Sequence, residues 1–276
     1  MPNLASAEVW MSLLTLTFLE IVLGIDNIIF ISIASGKLPD AERPRATNIG
    51  MILAMVLRIV LLLGVSVLVA MKEPWFSIHG EYLHGEFTGQ SIILALGGVF
   101  LLYKSTTEIH HKLEGREDHG AEGNKKGKVT MSSVIMQITL INIVFSFDSI
   151  LTAIGMTNGV HGALVSMIIA VVLSVLVMML FAAPVGNFVN RHPTVQMLGL
   201  AFLILIGFML IAEGAHLSDL TIAGAHVGTV PKGYLYFAIA FSLFVEMLNL
   251  RLRTRQKPVQ LHGIAEDAIK EGILEK

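Results

Sequence analysis

The chain has 276 residues, of which 54% are hydrophobic and 14% charged, with a formal net charge of −2 and a mean hydropathy of +0.73. A soluble domain carries about 25% charged residues, so a soluble globular protein is excluded. Cysteine is absent, which excludes disulfides and thiolate metal sites. The apolar residues gather in seven runs, 9–35, 46–71, 91–111, 131–156, 162–184, 195–214 and 231–250. A helix needs about 20 apolar residues to cross a bilayer, and runs this long lack the period of two that a membrane barrel requires. The expected fold is all-α, a polytopic membrane protein with about seven transmembrane helices. The first run is too long for a signal-peptide core and no basic segment precedes it, so it is expected to be a retained span.

Basic residues set the expected topology. Lys37, Arg43 and Arg45 follow the first run, Lys112 to Lys128 hold five more after the third, Arg191 follows the fifth, and Arg251, Arg253, Arg255 and Lys257 follow the seventh. The other loops hold only Lys72 and Lys232. The positive-inside rule then places the N-terminus outside and the C-terminus in the cytoplasm, which an odd number of crossings requires. His79, His84 and His226 fall in outer loops and read as surface residues. A transmembrane domain over 1–256 divides into a first repeat (about 9–111), a cytoplasmic linker 112–130 rich in Glu, Gly and Lys, a second repeat (about 131–214) and a seventh helix (about 231–250). Residues 257–276 form a cytoplasmic tail.

The repeat rests on two stretches that are versions of each other, Glu20-Ile-Val-Leu-Gly-Ile-Asp26-Asn27 and Asn142-Ile-Val-Phe-Ser-Phe-Asp148-Ser149. Glu20 aligns with Asn142, Gly24 with Ser146, Asp26 with Asp148 and Asn27 with Ser149. Three spans per unit force the two halves into opposite orientation, an architecture that puts the site near the midplane. The third spans end alike, Glu108-Ile-His-His111 and Glu213-Gly-Ala-His216. Inversion predicts Glu108 at the inner surface and Glu213 at the outer.

Glu20, Asp26, Arg58, Asp148 and Glu246 lie inside runs, and a carboxylate at such depth costs roughly 2.5–3.5 kcal/mol. Fully ionised, the five carry an excess of three negative charges, which calls for bound cations or protons. The candidate metal ligands are Asp26, Asp148, Glu20, Asn27, Asn142 and Ser149. Arg58 reads as a structural counter-ion to Glu20 or Asp26. Glu108, His111, Glu213 and Glu246 read as gating, charge-balancing or interfacial groups. Residues six apart on a continuous helix lie about 240° apart, so a break at Gly24 is expected to let Glu20 and Asp26 converge. Asp26 and Asp148 are expected to face each other across the pseudo-twofold axis. The donors are carboxylate, amide and hydroxyl oxygens, which suit Mg²⁺, Ca²⁺ or Mn²⁺. Met178 and Met179 are available as soft contacts, although methionine in a membrane helix is usually packing.

The stretch Leu19 to Asn27, with Phe145-Ser-Phe-Asp148-Ser149, resembles the TerC family of integral membrane proteins. Pro231-Lys-Gly-Tyr-Leu-Tyr-Phe-Ala and Val245-Glu246-Met-Leu-Asn249 look like its bacterial branch, and the similarity runs from about residue 8 to 253. The resemblance implies export of Mn²⁺ as transported substrate across a bacterial inner membrane, with metal supplied to exported proteins. Family acids essential to transport map onto Glu20, Asp26 and Asp148. At Asn142 relatives often carry an acid, so the site here has one charge fewer. Some relatives also carry a long C-terminal cytoplasmic module, which is not expected here.

The expected partners are a divalent cation, protons through antiport, the lipid bilayer and the secretion machinery, with no nucleic acid. The alternative function is a non-transporting scaffold that assists secretion or membrane-complex assembly, for which Asp26 and Asp148 would be dispensable. An enzyme is not expected: the Gly-x-Gly-Asp pattern of intramembrane aspartyl proteases, HExxH and a P-loop are all missing.

Overall fold

The computed structural model describes residues 7–64, 67, 70–80, 82–113, 130–157 and 163–253. Seven helices in it are long and apolar enough to span a bilayer. They are α1 (Ala7–Ser35), α2 (Arg43–Leu63), α3 (Gly89–Leu113), α4 (Met131–Thr157), α5 (Ala163–Arg191), α6 (Pro193–Leu217) and α7 (Lys232–Arg253). A helix satisfies its own backbone groups, which hydrocarbon demands of any span. The polar residues within spans follow the same logic. The hydroxyls of Ser32, Ser105, Thr139 and Thr152 donate to carbonyls four residues back, so they need no partner outside their helix. Tail residues 257–276 and nearly all of the linker 112–130 lie outside the described residues.

Two expectations about the helices are corrected. The run 162–184 becomes a longer helix, because Pro184 lies inside α5 without ending it; membrane helices tolerate such a proline. Gly24 does not break α1, which is continuous through it. The glycine serves close packing instead, because a Cβ there would come 2.1 Å from the sulfur of Met178.

The loops after α2 and α6 were expected only as loops, yet they carry strands. β1 (Pro74–His79) and β2 (Leu83–Thr88) form one hairpin, β3 (Thr221–Ile222) and β4 (Ala225–His226) another. They join through β2 and β3 into one antiparallel sheet in the order β1-β2-β3-β4. The sheet ties the C-terminal end of α2, the N-terminal end of α3 and the C-terminal end of α6 to one side. On the opposite side Lys37, after α1, pairs with Glu108 near the end of α3 at 2.6 Å. Lys112 at the end of α3 bonds Gln196 at the start of α6. A Cβ on Gly36 would meet the Asn190 amide near the end of α5.

These ties make successive spans alternate in direction, so α1 and α4, α2 and α5, and α3 and α6 run oppositely. The packing respects that exchange. α1 packs chiefly on α5 of the other repeat, α4 packs chiefly on α2, and the equivalent helices α3 and α6 pack on each other. Close approach of α3 and α6 depends on glycine, since a Cβ on Gly98 would lie 2.5 Å from the Gly207 carbonyl oxygen. Small residues that let backbones meet hold membrane helices together where lipid supplies no hydrophobic drive. The fold is thus an inverted repeat of three helices. Among the described residues, those up to Tyr236 form one compact unit, and those from Phe237 to Arg253, most of α7, fall in a second.

Candidate functional site

Glu20 on α1 and Arg58 on α2 form an ion pair deep in the first repeat. Both side chains are almost fully enclosed, at 5% and 7% exposure. Glu20 is one of the two partners expected for Arg58. The side chain of Asp26 lies outside the described residues, so its expected convergence with Glu20 and its pairing with Asp148 do too.

Beside this ion pair is a small cavity between α1, α2, α4 and α5, walled by Asn27, Arg58, Asn142, Ser146, Met55 and Met178 among others. The room for the centres of water-sized particles is about 20 Å³, enough for a single water or ion. Asn27 is buried, and its Oδ1 has no hydrogen-bond partner among the described residues. An orphaned buried acceptor costs about 1–3 kcal/mol. Asn142 donates from Nδ2 to the Ile138 carbonyl at 2.9 Å. With that nitrogen committed, what it can offer an ion is its oxygen. Ser149 is buried and donates to the Ser146 carbonyl at 3.1 Å, but it is not part of the cavity wall. The repeat-equivalent positions of Glu20 and Gly24, namely Asn142 and Ser146, therefore meet Asn27 of the first repeat in one place. Met178 reaches this cavity, and Met179 lines a different one. Met51 and Met55 on the wall were not singled out from sequence, because methionine in an apolar run carries no signal.

Asp148 is elsewhere. It lines a larger cavity of about 460 Å³ with Lys72, Gln90, Thr152 and Glu213, on the side that carries the sheet. Its two carboxylate oxygens accept from Lys232 Nζ at 2.9 and 2.8 Å, and the same nitrogen donates to Thr152 Oγ1 at 2.8 Å. On the opposite side a cavity of about 250 Å³ is lined by Ser32, Ser35, Thr47, Asn187 and Asn190. One side thus presents hydroxyl and amide groups together with Arg43, and the other presents Asp148 and Glu213 together with Lys72.

The expected excess of three negative charges already counts Arg58, which pairs with Glu20; Lys232, which pairs with Asp148, was not counted and lowers that excess to two. Lys232 was read as a loop cation; its reach to Asp148 was missed because the two are 84 residues apart. Glu108 and Glu213 lie at opposite sides, as inversion predicted, with Glu108 bound to Lys37. His111 is exposed at the end of α3. Glu246 lies on α7 within the second unit. His79, His84 and His226 fall on the strands, where the rings of His79 and His84 meet edge-on at 4.7 Å. No group of three or more His, Cys, Asp or Glu that could hold a metal occurs among the described residues. The polar groups described on the wall of the central cavity are Asn27, Asn142, Ser146 and the Arg58 guanidinium.

The model of the integral membrane protein TerC family matches residues 5–260. A Haemophilus influenzae protein named "UPF0053 protein" is 43% identical over 254 residues, covering 92% of this chain and 98% of that one. The "UPF0053 inner membrane protein YgdQ" of Escherichia coli K12 is 44% identical, with coverage of 91% and 95%. The longer "UPF0053 inner membrane protein YoaE" is 42% identical over 98% of this chain and 49% of its own length. No solved structure matches the chain. A family match over nearly the whole length, together with relatives aligned end to end, shows that this chain belongs to the TerC family of integral membrane proteins.

Proposed function

We propose that this protein exports divalent metal cations, Mn²⁺ foremost, across a bacterial inner membrane, with its N-terminus outside and its C-terminus in the cytoplasm. The observation that carries the proposal is Asn27, which lines a cavity with room for one ion and whose buried amide oxygen has no partner among the described residues. That cavity lies where α1 and α2 of one repeat meet α4 and α5 of the other. In inverted-repeat transporters that is the location of the substrate. Oxygen donors with a nearby thioether fit Mn²⁺, which accepts carboxylate and amide oxygens and is softer than Mg²⁺ or Ca²⁺. The carboxylate groups on the sheet side would receive the ion on its way out. Protons are the natural counter-substrate, since carboxylates that release a metal can take up protons. The inner-membrane names of two Escherichia coli relatives support the location. Membership of the TerC family supports a role in supplying metal to exported proteins.

Mn²⁺ uptake into inside-out vesicles, with and without a pH gradient, tests this. The wild type should accumulate Mn²⁺, and Asn27→Leu and Asp148→Asn should lose most of it. If wild-type vesicles take up no more Mn²⁺, Ca²⁺ or Mg²⁺ than empty ones, transport is refuted and the scaffold reading takes its place.

A further inference from the structure

We propose that Lys232 is a tethered counter-cation that competes with the transported metal for Asp148; this deepens the export reading and rests on it. The Lys232 ammonium sits among three oxygens, two from Asp148 and one from Thr152, all within 2.8–2.9 Å. A carboxylate and a hydroxyl are also what a hard divalent cation accepts as part of its shell of about six oxygens. One cluster of oxygens cannot serve both, so the metal binds there only by displacing the ammonium.

Two features make that displacement an exchange. The pair is partly open, with Lys232 at 30% and Asp148 at 18% exposure. Such a pair is held far less firmly than the enclosed Glu20–Arg58 pair. A second carboxylate also lies within the same small cavity, since Glu213 lines it together with Asp148 and Lys232. No ion pair of Glu213 is found among the described residues. The flexible four-carbon stem of a lysine at the first turn of α7 lets its ammonium move from one carboxylate to the other.

The cycle follows from charge. With Lys232 on Asp148, the two carboxylates and one ammonium of this cavity carry one net negative charge, which attracts a divalent cation. Once the cation takes Asp148 and Lys232 shifts to Glu213, the cluster carries one net positive charge. Return of the ammonium to Asp148 then expels the metal to the sheet side, where Lys72 lines the wider cavity and adds to the repulsion.

The test is Mn²⁺ transport against concentration in proteoliposomes containing wild type, Lys232→Met, Lys232→Arg or Glu213→Gln. Loss of a charge-assisted pair corresponds to roughly a tenfold to hundredfold change in apparent affinity. Lys232→Met should lower the half-saturating concentration by that much and lower the maximal rate as well, because nothing expels the metal. Lys232→Arg, which keeps the charge, should turn over faster than Lys232→Met. Glu213→Gln, which leaves the ammonium only Asp148, should raise the half-saturating concentration, and it carries the test if Lys232→Met does not accumulate in membranes. A transporting wild type with unchanged half-saturation in both Lys232→Met and Glu213→Gln would overturn the counter-cation role and leave export standing. A wild type that transports no Mn²⁺ would overturn both.

Discussion

Replacing Arg58 with methionine removes the charge partner of Glu20 while keeping most of the side-chain volume. In the structure the two side chains are 7% and 5% exposed, inside spans on α2 and α1. Loss of one partner from a buried ion pair costs about 3–5 kcal/mol, because the remaining charge is stranded. Insertion scales for a carboxylate at membrane depth give about 2.5–3.5 kcal/mol. The two routes agree near 3 kcal/mol for Arg58→Met. Replacing both partners removes the stranded charge, and buried pairs exchanged for apolar groups are often neutral or stabilising. The double variant Glu20→Met/Arg58→Met should therefore recover most of what the single change loses. Equilibrium unfolding in mixed micelles, run as a double-mutant cycle, should give a coupling energy of about 3 kcal/mol. If Arg58→Met unfolds within about 0.5 kcal/mol of wild type, or the double variant is no more stable than the single one, Glu20 and Arg58 are not a mutually dependent buried pair.

Gly98→Ala should cost about 1–3 kcal/mol, since its Cβ meets the Gly207 carbonyl oxygen at 2.5 Å and the Ile211 nitrogen at 3.0 Å, backbone atoms that no rotamer change can move aside. Gly155→Ala is the control, because no described residue lies within 4 Å of its Cβ; thermal stability in detergent should fall for the first and not the second. Lys37→Met should destabilise more than Glu108→Gln, by about 1–3 kcal/mol against less than about 1, because Glu108 is 7% exposed and Lys37 is 30% exposed. Equal losses would mean that burial of the carboxylate does not govern the pair. Orientation can be read by thiol labelling, as the chain has no cysteine of its own. A membrane-impermeant reagent should label Asp219→Cys on intact cells and Lys112→Cys only on inverted vesicles, and the opposite pattern would reverse the assigned topology.

The spans and their inversion were legible in the sequence because the bilayer acts on each segment separately. A run of about 20 apolar residues is a helix whatever its neighbours are, and two matching sets of three spans must face opposite ways. Candidate site residues could be named from the sequence, because an ionisable group inside a span has few bland reasons to be there. Their assembly was not legible. Whether Arg58 meets Glu20, whether Asp148 meets Lys232 from 84 residues away, and which of the aligned acids and amides share a cavity depend on how each helix is rotated and how closely helices approach. Those are set by contacts such as Gly24 against Met178 and Gly98 against Gly207, which no single segment encodes. The sequence alone determined that ionisable groups fall inside spans in two related places. Only the tertiary structure decided that the protein's own Arg58 and Lys232 hold the Glu20 and Asp148 carboxylates, because side-chain pairing across helices is a property of packing and not of hydropathy.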